Sequence, residues 1–165
     1  MSATTGRAHV FGANINTDDV IAGKYKHRTI DLDELLPHLM ENIRPGFAET
    51  VAPGDFIVAG PNFGCGSSRE QAPALIRHAR VAAVIAPSYA RIFFRNAINV
   101  GLHVIEAPTD GIEDGDIVQY APETGRILVP AKDWSATAAP MPEDLRRLVE
   151  AGGLLNFVRA GGFDA

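Results

Sequence analysis

Residues 60–70 read Gly-Pro-Asn-Phe-Gly-Cys-Gly-Ser-Ser-Arg-Glu and follow the apolar run Phe56-Ile57-Val58-Ala59. The run has the length and composition of a buried strand. Gly60, Gly64 and Gly66 give the loop a backbone that turns sharply and lies close to a ligand. Ser67 to Glu70 opens a segment with helical periodicity through Ala74, Leu75, Ile76 and Ala79. Strand, glycine loop and helix start together bind anions, because the first N–H groups of a helix lack intrahelical partners and carry partial positive charge. Arg69 adds a planar fork suited to a carboxylate or phosphate. The same letters also fit a Ser-x-x-Glu capping box between Ser67 and Glu70, which would be purely structural. Three glycines exceed what a cap needs, and an arginine in a first helical turn opposes the helix dipole. A small anion is therefore the expected ligand. Pro73 predicts a helix that kinks or begins after Ser67. Known glycine motifs fit poorly: Arg69 stands where a dinucleotide fingerprint needs its third glycine, the P-loop lysine is missing, and Gly-x-Ser-x-Gly does not occur.

The rest of the composition narrows the classes. The chain has 165 residues, 46% of them hydrophobic, and a net charge of −5. That charge argues against nucleic acid or an anionic membrane as partner. No apolar run approaches the roughly 20 residues needed to cross a bilayer. Residues 1–7 hold no apolar signal-peptide core, so a cytoplasmic location is expected. Cys65 is the single cysteine, which excludes an intrachain disulfide. Structural zinc sites and iron–sulfur clusters take three or four cysteine or histidine ligands. His9, His27, His38, His78 and His103 lie far apart in sequence, so no metal is expected on this chain. Cys65 reads either as a small buried loop residue or as a reactive thiol at a helix start.

Outward from the glycine loop, the pattern predicts an α/β fold with a mixed sheet in a single domain over residues 1–165. Strands are expected over 7–12, 81–86, 102–105, 117–120 and 126–129, with a hairpin at Glu123-Thr124-Gly125. Helices are expected from Asp31 or Asp33 through Met40, over 89–98 with Ser88 as N-cap, and over 142–150 with Gly152-Gly153 as the stop. Residues 154–160 predict one more turn or two. Residues 13–19, 136–140 and 161–165 read as loop or tail, and 20–29 stays ambiguous.

Three blocks in order carry a resemblance: Asn14-Ile15-Asn16-Thr17-Asp18-Asp19, then Gly64-Cys65-Gly66-Ser67-Ser68-Arg69-Glu70, then Tyr89-Ala90-Arg91-Ile92-Phe93-Phe94-Arg95-Asn96. With Gly152-Gly153-Leu154-Leu155 after them, the chain resembles, over about residues 7–160, the small-subunit family of 3-isopropylmalate dehydratases in the aconitase superfamily. The resemblance implies a swivelling β/β/α domain like the aconitase C-terminal domain, paired with a large subunit that holds a [4Fe–4S] cluster. The implied reaction is reversible dehydration and rehydration of a small hydroxy diacid.

Position by position, the resemblance implies Ser67 as the base that takes a proton from carbon, with Asp18 as a second catalytic residue. It implies Gly66, Ser68 and Arg69 as the binding site for a substrate carboxylate. The segment Tyr25-Lys26-His27-Arg28 corresponds to a loop that selects the distal substituent. There the family often has Tyr-Leu, whereas this chain has Tyr25-Lys26. Tyr25, Lys26 and Arg28 are thus candidates for contact with the distal group, and isopropylmalate competes with methylmalate, dimethylmalate, maleate and homoaconitate. The same cations also fit a solvated face. A stand-alone anion-binding module is the non-enzymatic alternative.

Overall fold

The structure, a computed structural model, describes residues 2–162, with the side chain of Lys26 outside the described residues. Its centre is a seven-stranded sheet. The strands are β1 (Thr4–Val10), β2 (Phe56–Val58), β3 (Ala83–Ala86), β4 (Val104–Glu106), β5 (Ile117–Ala121), β6 (Arg126–Val129) and β7 (Trp134–Thr137), in the order β4-β3-β2-β1-β5-β6-β7. From β1 to β4 the pairing is parallel; from β1 through β5 and β6 to β7 it is antiparallel. Past the end of β7, Ala139 N–H donates to the carbonyl of Glu106, the last residue of β4, at 3.1 Å, so the sheet curls until its two edges meet.

The central parallel strands β2 and β3 are apolar on both faces because both are covered. Ile57, Val84, Ala86 and Val104 join a core under the helices; Phe56, Val58, Ala83, Ile85 and Ile105 alternate with them and fill the inside of the curl with Val118, Ile127 and Val129. The crossovers carry the helices: α1 (Thr17–Val20), α2 (Gly23–Lys26), α3 (Leu32–Leu35) and α4 (Phe47–Thr50) lie between β1 and β2, α5 (Gln71–His78) between β2 and β3, and α6 (Arg91–Val100) between β3 and β4. Two more, α7 (Glu143–Glu150) and α8 (Leu154–Arg159), follow β7 and pack on α6.

The buried pair His9–Asp55 joins β1 to the turn before β2, with Nε2 to Oδ2 at 2.8 Å. Asp55 also accepts the N–H groups of Arg7 and Ala52. Burial alone would raise its carboxyl; the His9 bond and the two backbone bonds outweigh that and hold it below the ordinary value.

Several expectations shift. The loop at 13–19 contains α1, whose N-cap Asn16 accepts from Asp18 N–H while Asp19 accepts from Asn16 N–H, a capping box in a helix too short to show a period. The helix from Asp31 is real at its start, with Asp31 capping Asp33 N–H. It tightens to a 3₁₀ turn over Leu36–His38, where Pro37 has no N–H to continue the ladder, and turns left-handed at Met40 (φ 58). Residues 134–137 form β7, the partner of β6, so Ala136 and Thr137 at the start of the expected 136–140 loop are strand instead. Ser88 does not cap the next helix: its hydroxyl accepts from Asn62 N–H, and α6 starts three residues later behind Ala90.

Candidate active site

The helix after the glycine loop begins at Gln71, with Glu70 as its N-cap and no side-chain cap bond. The Ser67–Glu70 capping box is therefore not formed. Pro73 falls in the first turn of α5, where its missing N–H would have had no intrahelical partner. Residues 67–70 remain an extension of the loop, and Arg69 sits before the helix rather than opposing its dipole from within.

What holds the loop is contact with segments from two other crossovers. Gly64 N–H donates to the Ile15 carbonyl at 2.7 Å, and the Cys65 carbonyl accepts Thr17 N–H at 2.9 Å. Thr17, itself buried, donates its hydroxyl to the Ser67 carbonyl at 2.9 Å. On the other side Phe63 N–H donates to the Ser88 carbonyl, and Ala90 N–H to the Phe63 carbonyl. Gly64 and Gly66 have φ of 81° and 90°. A Cβ at Gly64 would lie 2.1 Å from the Phe93 ring, and one at Gly66 2.5 Å from Asn16 Oδ1. Both glycines are required by conformation and by space. Cys65 is half-buried, and its thiol donates to the Asn14 carbonyl at 3.4 Å.

These contacts bring together all three blocks of the sequence that carry the resemblance. They frame a hollow of about 290 Å³ lined by Thr17, Gly64, Gly66, Ser67, Ser68 and Arg69 on one side and by residues 90–93 on the other. Ser67 and Ser68 are exposed. Arg69 Nε donates to Ser67 Oγ at 3.0 Å. Opposite, Ala90 makes no side-chain cap, so the first N–H groups of α6 border the hollow without intrahelical partners, beside the exposed Arg91. The walls thus present two guanidinium groups, two hydroxyls and a helix N-terminus, a setting for carboxylates.

Of the expected site residues, Gly66, Ser67, Ser68 and Arg69 share this hollow. Asp18 is exposed in the first turn of α1, adjacent to the lining residue Thr17. Tyr25 and Arg28 are not in the lining; they belong to the turn after α1, where Arg28 is exposed and has no side-chain partner among the described residues. The expected contact of Lys26 lies outside the described residues. Thr17 and residues 90–93 are absent from the sequence-based set, although they stand inside the blocks that carry the resemblance. Among the described residues no group of three or more His, Cys, Asp or Glu side chains can hold a metal ion. With one cysteine, this chain's residues do not fit a cubane cluster. No helix among the described residues is long and apolar enough to cross a membrane.

Residues 12–110 match the family described as the aconitase C-terminal domain. The chain is 50% identical over 156 residues to 3-isopropylmalate dehydratase small subunit 1 of Archaeoglobus fulgidus, covering 94% of this chain and 96% of that protein. It is also 50% identical over 151 residues to the methanogen homoaconitase small subunit of Methanothermobacter thermautotrophicus, covering 92% and 88%. A crystal structure of 3-isopropylmalate dehydratase from Methanocaldococcus jannaschii superposes with a TM-score of 0.92 at 46% identity, over 96% of this chain and 95% of that one. Matched along nearly its whole length, the chain belongs to the 3-isopropylmalate dehydratase small-subunit family of the aconitase superfamily.

Proposed function

We propose that this chain is the small subunit of a cytoplasmic, heteromeric hydro-lyase that interconverts 2-isopropylmalate and 3-isopropylmalate on the route to leucine. A large subunit carries the [4Fe–4S] cluster and completes the site. The observation that supports this most directly is the 3.0 Å bond from Arg69 Nε to Ser67 Oγ at the edge of an anion-binding hollow. Ser67 is the base. A serine hydroxyl is a very weak acid, and it acts as an alkoxide only where fixed donors stabilise the oxyanion. Arg69 is such a donor, aimed at the oxygen that would bear the charge. Using Nε for Ser67 leaves the terminal N–H groups of Arg69 for a substrate carboxylate, since a guanidinium has five donors. Ser68 and the Gly66 backbone stand beside that carboxylate. The proton leaves the carbon next to the bound carboxylate and passes to Ser67 as the hydroxyl leaves the adjacent carbon; on rehydration a hydroxyl adds to the carbon that lost the proton, and Ser67 returns the proton to the carbon that lost the hydroxyl. Asp18 serves as the second catalytic residue, and the segment with Tyr25, Lys26 and Arg28 faces the distal substituent.

A second reading, an extra distal carboxylate as in homoaconitate, is favoured by the exposed Arg28, which has no side-chain partner among the described residues, and by the homoaconitase small subunit among the 50% identical relatives. The test of the primary reading is Ser67→Ala in the reconstituted complex. Loss of a catalytic base predicts a fall of about 10²–10⁴-fold or more in turnover with assembly intact. Near-normal turnover of that variant would refute the assignment.

A further inference from the structure

We infer that Glu41 and His38 are positioning residues that clamp Tyr25 and, through it, set where the segment at residues 23–28 presents Arg28. The inference rests on the proposed reading that this segment faces the substrate's distal group.

The segment cannot hold itself. Helix α2 is a single turn of four residues, and its N-cap Ala22 makes no side-chain bond. An isolated turn of that length is far below the size at which helix formation becomes favourable. Tyr25 is its anchor. The Tyr25 hydroxyl donates to Glu41 Oε1 at 2.5 Å. Its ring stacks on His38, centroids 3.7 Å apart and planes 12° from parallel. His38 Nδ1 lies 2.8 Å from the other carboxylate oxygen, Glu41 Oε2. An ionised carboxylate only accepts, so both partners donate and His38 carries its proton on Nδ1. The Tyr25 bond first, and the His38 bond next, hold the Glu41 carboxyl below its ordinary value. The Lys24 ammonium, 4.8 Å from the Tyr25 ring centroid, adds positive charge to the same cluster.

The base of the clamp is buried where the segment is largely exposed. Leu39 and Met40, between His38 and Glu41, are fully buried, and Met40 N–H donates to the Val20 carbonyl at the end of α1. Downstream of the anchor, Arg28 N–H donates to the Tyr25 carbonyl at 3.0 Å. Fixing Tyr25 therefore fixes the turn that carries Arg28.

The clamp is tested by limited trypsin digestion of the full chain, followed by mass spectrometry of cleavage after Lys24 and Arg28, and by kinetics of the complex with its large subunit. Tyr25→Phe keeps the ring stack and removes one bond to a charged acceptor. We expect about tenfold faster cleavage or more, a melting temperature lowered by no more than about 3–6 °C, and a KM raised severalfold with kcat nearly constant. Glu41→Ala should match it, and Glu41→Gln, which keeps a neutral acceptor, should recover part of the protection. Wild-type cleavage rates in both Tyr25→Phe and Glu41→Ala would overturn the clamp. Arg28→Leu separates the underlying reading. If it leaves the kcat/KM ratio between isopropylmalate and homoaconitate unchanged while Tyr25→Phe still accelerates cleavage, the clamp exists but does not serve specificity, and the positioning role is refuted. A shifted ratio together with a KM effect of Tyr25→Phe supports both.

Discussion

Replacing Gly64 by alanine tests whether the glycine loop is held by its neighbours as tightly as the geometry implies. Two separate penalties apply. The backbone at Gly64 has φ 81°, a conformation that costs an L-residue about 1–2 kcal/mol. The added methyl would also lie 2.1 Å from Phe93 Cγ and 2.4 Å from its Cβ. Phe93 has no room to move: it is 2% exposed, packs edge-on against Phe63 at 5.2 Å and lies parallel to Tyr89 at 6.4 Å. Overpacking of that kind typically costs about 1–3 kcal/mol. Together they predict a loss of about 2–5 kcal/mol, which for a chain of this size lowers Tm by about 5–15 °C. Two companions separate the terms. Gly46 shares the positive φ (77°) but a Cβ there meets nothing within 4 Å, so Gly46→Ala should lose only the backbone term, about 1–2 kcal/mol. Gly12 has neither constraint, and Gly12→Ala should be neutral or gain up to about 1 kcal/mol. Thermal melts of the isolated chain, read by calorimetry at one protein concentration, supply the comparison. If Gly64→Ala melts together with Gly46→Ala, then Phe93 yields to the methyl and the rigidity argued for the loop is wrong.

Other outcomes follow from single contacts. Arg69→Lys replaces a bidentate fork by a point charge and removes the Nε donor to Ser67, so KM should rise and kcat should fall together in steady-state assays of the complex; a change in KM alone would detach Arg69 from the base. Burial lowers the His103 pKa from 6.5 to about 4, so the unfolded chain binds the extra proton between those values and stability must fall as pH drops from about 6.5 toward 4. His103→Phe should flatten the urea-unfolding profile over that window; an unaltered slope would show that other groups carry it. Below it, stability should fall again as Asp55 and Asp114, both held below their ordinary values in the fold, are protonated. Asp55→Ala strands the N–H groups of Arg7 and Ala52 and the His9 ring, and should cost about 3 kcal/mol or more by urea titration, whereas Asp55→Asn should cost less because one acceptor remains.

The parts of this fold that sequence made readable are those with a strong local cause. Phe56–Val58 and Ala83–Ala86 are continuous apolar runs because both faces of a parallel strand are covered. What escaped was decided at a distance. The Trp134–Thr137 strand alternates weakly and exists because β6 offers it an edge. Helix α1 is one turn, stabilised by a box that pairs Asn16 with Asp19 rather than the more familiar Ser or Thr with Glu. Conversely, the Ser67–Glu70 box was a correct spelling with the wrong outcome: Thr17 bonds the Ser67 carbonyl and Arg69 the Ser67 hydroxyl, which keeps that stretch out of the helix. The glycine-loop half of the candidate site was legible because it lies on one contiguous stretch. Thr17 and residues 90–93 were not, since only tertiary packing shows that two other crossovers close around it.

Every residue lining the hollow falls between positions 17 and 93, in the crossovers that leave the parallel strands. The antiparallel half of the sheet, β5 to β7, lends nothing to that lining, and the matched family span stops at residue 110, before β5 begins. The turn joining β5 to β6 offers exposed side chains at Glu123 and Thr124. A fluorophore coupled there through Thr124→Cys, in a Cys65→Ser background so that only one thiol reacts, would report on docking to a large subunit from a point outside the chemistry. The architecture thus comes with a built-in handle: one half of the sheet can be instrumented while the other half turns over substrate.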